Sequence, residues 1–153
     1  MGLCTVGELK STTGRILGVD FGDVRTGLAL SDPSRFLASG IGYISPGGIE
    51  KTATAVAGLA TEKGAGAIVV GLPRNMDGSE GARAARCREF AALIAAKLPA
   101  VAVAMMDERL TTVSASRYLN ETNTRGSRRK GVIDTLSAQI ILQNALDCLK
   151  NVT

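Results

Sequence analysis

The chain has 153 residues, 45% of them hydrophobic and 21% charged, with a formal net charge of +4, a length and balance that suit one soluble domain with a core of its own. It contains no histidine, which excludes Ser-His and Cys-His catalysis and histidine-ligated metals. Its three scattered cysteines, Cys4, Cys87 and Cys148, form no CxxC pair, so a reducing compartment is expected and any metal must sit on oxygen, as Mg²⁺ or Mn²⁺ does.

Residues 1–14 lack the cationic start and apolar stretch of a secretory signal and read as a flexible lead-in. No apolar run approaches the roughly 20 residues that span a bilayer. The expected location is the cytoplasm, or an organelle matrix if a targeting segment precedes residue 1.

From Gly14 to Asp32 two short apolar runs flank Phe21-Gly22-Asp23, which predicts a hairpin with Asp20 near its closed end. Arg35 to Ile44 predicts a third strand, ended by Ser45-Pro46-Gly47-Gly48. Ile49 to Lys63 has apolar residues at helical spacing and stops at Gly64. Ala67 to Leu72 is continuously apolar, the pattern of a strand covered on both faces. A polar loop from Pro73 to Ser79 leads to a helix from about Glu80 to Lys97, and Val101 to Met106 predicts another buried strand. Thr111 or Thr112 can cap a short helix to about Asn120, and Thr122 to Lys130 reads as a basic loop. Val132 to about Leu149 is apolar almost all round and predicts a largely buried last helix.

Three strands joined by short turns make an antiparallel meander, and strands separated by helices add in parallel through right-handed crossovers. The expected fold class is therefore α/β: a mixed five-stranded sheet with helices on its faces. Its first and last strands end on one edge, near the start of the last helix.

That edge would gather Asp20, the adjacent pair Asp107 and Glu108, and Asp134. Asp134 shares a helix face with Ala138, Ile141 and Ala145. Converging carboxylates repel unless a divalent ion neutralises them, and Mg²⁺ ions so held can activate water against a phosphodiester without a histidine base. Each acid has a plainer use: an Asx turn into Gly22 for Asp20, a helix-dipole contact in the first turn for Asp134, and an ion pair with Arg109 for Asp107 or Glu108. Neighbours on a strand point to opposite faces, so one of Asp107 and Glu108 is expected to face a metal. Asp77 and Glu80 are read as a helix-capping pair. The basic excess lies in residues 71–130, with eleven basic against six acidic side chains. Such an arginine-rich stretch suits phosphate contacts, a solvated basic surface being the alternative.

Four blocks resemble the YqgF (RuvX) family of small Holliday junction resolvase-like nucleases. They are Val19-Asp20-Phe21-Gly22 with Arg25 and Gly27; Gly71-Leu72-Pro73 with Asn75, Asp77 and Gly78; Asp107 through Thr112, DERLTT; and Lys130 through Asp134 to Gln143. The resemblance implies a ribonuclease H-like domain over residues 15–150. It also implies a metal-dependent nuclease, associated with 5′-end processing of the 16S ribosomal RNA precursor and earlier with resolution of DNA junctions. Carried over by motif, Asp20, Glu108 and Asp134 are the catalytic and metal-binding acids, with Asp107 beside them. Arg25, Arg74, Asn75 and Arg109 line the substrate side, while Arg125, Arg128, Arg129 and Lys130 grip phosphates. Mg²⁺ or Mn²⁺ is the implied cofactor, and structured RNA or junction DNA the implied partner of a monomer or weak homodimer. A non-catalytic RNA-binding assembly factor is the competing reading. An actin-like phosphotransferase is a third, but it needs two such domains where this chain supplies one.

Overall fold

The computed structural model describes residues 2–108 and 126–150, and for 126–130 the backbone path alone. Strands β1 (Gly2–Cys4), β2 (Arg15–Asp20), β3 (Thr26–Ser31), β4 (Ala38–Ile44), β5 (Ala65–Leu72) and β6 (Ala102–Asp107) form one sheet in the order β1-β6-β5-β2-β3-β4. The meander β2-β3-β4 is antiparallel, and β5, β6 and β1 add in parallel. The mixed α/β class and the meander are as expected from sequence.

The sixth strand was not foreseen. Gly2–Cys4 pairs with Ala102 to Ala104, and a 3₁₀ helix at Gly7–Ser11 follows it. The segment read as a flexible lead-in thus carries structure, and its Leu9 is fully buried. Arg35 holds it: its guanidinium donates to the carbonyls of Gly14 at 2.7 Å and Leu9 at 3.0 Å and to the Thr12 hydroxyl at 2.8 Å. Arg35 lies outside β4, in the β3–β4 turn at φ 64°, so the third strand is shorter than predicted. The Asp32 carboxylate ties that turn by accepting from the amides of Phe36 and Leu37.

Helix α1 (Ile49–Lys63) has the predicted bounds, ending on Gly64 in the left-handed region at φ 67°. Helix α2 (Ala82–Lys97) starts later than expected because Asp77 and Glu80 do not cap it. Asp77 accepts from the Ser79 amide and hydroxyl, and Glu80 takes a two-point ion pair with Arg88 at 2.7 and 2.8 Å. The last helix, α3 (Gly126–Lys150), begins well before Val132. Gly126 to Lys130 is therefore helical backbone, not loop, and Asp134 stands inside the helix rather than in its first turn. The helix predicted from Thr111 or Thr112 to Asn120 lies outside the described residues.

Side chains alternate across the sheet. Leu17, Val19, Leu28, Leu30, Ile68, Val70 and Val103 face α1 and α2, with Phe90, Ala91 and Ile94. Ile16, Ala29, Val69, Ala102 and Ala104 face α3, against Ala138, Ile141, Leu142, Ala145 and Leu146. Asp134 thus heads the buried stripe the sequence predicted. The opposite side of α3 is open at Asn144, Asp147 and Cys148, so that helix is one-faced rather than buried all round.

Candidate active site

β2, β5 and β6 run parallel and end on one edge of the sheet, where α/β folds place their ligands. Asp20 is the last residue of β2. The Gly22 amide donates to the Thr26 hydroxyl at 3.3 Å, so the loop after Asp20 is closed by Thr26 and not by an Asx turn.

Glycines on either side of β2 let the other acids in. A Cβ on Gly71 would lie 2.3 Å from Glu108 Oε2, so that carboxylate sits where β5 has no side chain. A Cβ on Gly27, the β3 partner of Asp20, would lie 1.8 Å from the Asp134 carbonyl oxygen. α3 therefore comes down onto the sheet at Asp134. The Glu108 amide donates to the Leu72 carbonyl at 3.1 Å, fixing the chain as it leaves β6.

Asp20 feels the other two acids. Burial, then repulsion from Glu108 and Asp134, pushes Asp20 up to about 8, with Arg83 opposing. Burial also raises Glu108, helped by Asp107 and opposed by Arg83. Asp134 is raised by burial against the pull of Arg25 and Arg83. Arg25 Nε donates to Asp134 Oδ2 at 2.8 Å, so this predicted substrate-side residue is bound to an acid.

Asp107 does not join the group. Alternation turns it to the α1–α2 face, where its carboxylate lies 3.8 Å from Arg74 Nη1. Arg74 is also 3.6 Å from Glu80, so its charge is shared between two acids. The Asn75 amide donates to the Ser79 hydroxyl at 2.9 Å and shapes the loop after β5. Arg109 and Arg125 lie outside the described residues, as do the side chains of Arg128, Arg129 and Lys130.

Arg83 belongs to none of the sequence blocks that point to the site. It stands in the first turn of α2, donates to the Phe21 carbonyl and lies 3.8 Å from Asp23. Its charge reaches all three acids. The available signal was its spacing of seven from Phe90, whose ring stacks on Phe21 at 4.4 Å and draws this face of α2 to the hairpin.

The donor chemistry fits a hard divalent cation: three carboxylates at one edge, each held above its ordinary pKa. Among the described residues no three acidic or cysteine side chains stand close enough together to form a ligand cage.

The profile of the RuvX Holliday junction resolvase family matches residues 14–148. The chain belongs to the RuvX family. A relative from Pelotomaculum thermopropionicum named "Putative pre-16S rRNA nuclease" is 45% identical over 134 residues, covering 87% of this chain and 86% of its own. Another of that name, from Acidiphilium cryptum, is 38% identical and covers 97% of this chain and 96% of its own. Among solved structures, Thermus thermophilus RuvC in complex with a Holliday junction substrate matches with a TM-score of 0.57 at 13% identity, over 92% of this chain and 98% of that one. A fowlpox virus Holliday junction resolvase matches with a TM-score of 0.54 at 10% identity, over 88% and 99%. These likenesses are of fold, and the fold is the ribonuclease H-like one. As a RuvX protein the chain is a nuclease, a hydrolase of the phosphodiester bond.

Proposed function

We propose that the chain is a Mg²⁺- or Mn²⁺-dependent endonuclease for structured nucleic acid, and that it trims the 5′ end of the 16S ribosomal RNA precursor. The observation that carries the reading is the seating of the Glu108 carboxylate over Gly71 and of the α3 backbone at Asp134 over Gly27, on the two sides of Asp20. The names of its relatives supply the substrate. In this reading Asp20, Glu108 and Asp134 hold the cation, which when bound supplies an activated water and charge stabilisation at the leaving oxygen. Asp20 and Glu108 supply negative charge from the strand ends, and Arg25 orients Asp134 through its 2.8 Å bond. Arg83 limits how far the acids repel one another and leaves them ready to ionise. Hydrolysis leaves a 5′-phosphate and a 3′-hydroxyl.

The family description favours one other substrate, a four-way DNA junction. No described helix is long and apolar enough to cross a membrane, and we place the protein in the cytoplasm as a monomer or weak homodimer. The test is cleavage of a 5′-extended 16S precursor fragment beside a four-way junction, with Mn²⁺ and then with EDTA. RNA cut only with Mn²⁺, at one position, is the expected result. Cleavage that survives EDTA removes the metal, and tight binding without cleavage of either substrate favours the assembly-factor reading.

A further inference from the structure

Asp20 pairs with Gly27 on β3, and Gly27 pairs with Tyr43 on β4. Residues facing each other across strands share a face, so Tyr43 stands in the row of Asp20, two strand spacings or about 10 Å away. Its ring rests on α3 at Gly131, where a Cβ would lie 2.6 Å from Cε1. The contact fixes the ring while 51% of the residue stays exposed. Beside it opens a groove of about 570 Å³, walled by Gly42, Val132, Leu136, Thr135 and Gln139.

We propose that this groove is a nucleobase subsite, in which an unpaired base close to the scissile phosphate stacks on Tyr43. The inference rests on the nuclease reading for the strand's presence and adds where its base goes. Three observations select this occupant. The groove continues the catalytic row, so a strand lying across the acids reaches it. Among the described residues its lining carries no charged side chain and is mainly apolar, which suits the flat face of a base and not a phosphate. Next in sequence before Gly131 come Arg128, Arg129 and Lys130, cationic residues suited to the backbone of the same strand. The other exposed aromatic among the described residues, Phe36, lies at the far end of the β3–β4 hairpin under Lys150. A second copy adding to edge strand β4 is the poorer occupant. The strand is broken by a register shift opposite Leu28 and Ala29 and by Gly42 at φ 111°, devices that spoil an edge for pairing.

The experiment uses the full chain with Ca²⁺ and two RNAs, one fully paired and one with an unpaired flank carrying 2-aminopurine. Tyr43→Ala should weaken binding of the flanked RNA by about 5- to 150-fold, the range of one base–aromatic stack, and abolish quenching of the 2-aminopurine. It should leave binding of the paired RNA unchanged and lower the melting temperature only by what the lost ring contact with Gly131 costs, while Tyr43→Phe restores both binding and quenching. Equal binding of the flanked RNA by wild type and Tyr43→Ala overturns the proposal, as does equal weakening of both RNAs. So does a wild-type dimer that Tyr43→Ala splits in light scattering. Loss of cleavage in every condition with the Tyr43-dependent quench intact would sink the nuclease reading and leave the subsite standing. Cleavage indifferent to Tyr43 does the reverse.

Discussion

Replacing Asp20 by asparagine separates the cost of burying a charge from the use made of it. Asp20→Asn should lower cleavage by more than about 10²-fold, beyond what losing only a hydrogen-bond partner of a metal ligand costs, while a binding assay on the same RNA shows affinity kept. Glu108→Gln should do the same, and Asp107→Asn should cleave within a few-fold of wild type, because that carboxylate faces Arg74. The sequence left this pair undecided. Alternation along β6 allows one of the two at the site, but which one depends on where the strand ends. Arg83→Ala removes the cation that all three acids feel. In metal-free protein the Asp20 carboxyl, followed by NMR, should then titrate at still higher pH than wild type. An unmoved titration would show that Arg83 serves only the hairpin. Arg83 was illegible beforehand because a cation in a helix's first turn is ordinarily a solvated one, and only the folded chain brings this one to the Phe21 carbonyl beside the acids.

At the scale of elements, the site depends on how near α3 comes to the sheet. Gly27→Ala sets a Cβ against helix backbone, the Asp134 carbonyl at 1.8 Å, which can yield only by moving α3. Gly71→Ala meets the ends of side chains, Glu108 Oε2 at 2.3 Å and Ile141 Cδ1 at 2.6 Å. Urea denaturation should therefore show Gly27→Ala losing more stability than Gly71→Ala, which costs about 1–3 kcal/mol as ordinary overpacking does. Both should lose cleavage, the second through its displacement of the Glu108 carboxylate. Strands and helices were readable because their apolar periods are local properties of the chain. The ends were less so: α2 starts late because Glu80 prefers Arg88, and α3 starts early although its first residues are polar and basic.

For the whole molecule, the raised acids make stability depend on pH. Asp20 has an ordinary value of 3.8 and a folded value of about 8, so the folded state binds the extra proton between them. Its contribution is complete below about pH 4 and is lost as pH rises through about 8. Metal-free protein should accordingly lose stability over that window. Asp20→Asn should flatten the curve, and saturating Mn²⁺ should reverse it by binding the ionised form. Asp32 works in the opposite sense. The amide of Leu37, the Ser34 hydroxyl and the amide of Phe36 lower it to about 2, so the β3–β4 turn loses that support as pH falls from about 4 toward 2. Denaturation curves across the acid and neutral range test both.

The sequence by itself determined the class of chemistry and the class of fold. A chain without histidine or paired cysteines has carboxylates for metal ligands, and its runs of apolar residues dictate a meander followed by parallel strands. The family blocks named the acids. The tertiary structure decided which acids share one edge of the sheet, because that depends on distances between elements far apart in the chain. Two glycines bracketing β2 admit the Glu108 carboxylate and the α3 backbone at Asp134, and a third under Tyr43 seats an aromatic ring in the row of Asp20. Absent side chains leave no periodic signal in a sequence; their effect is the space they leave for something else.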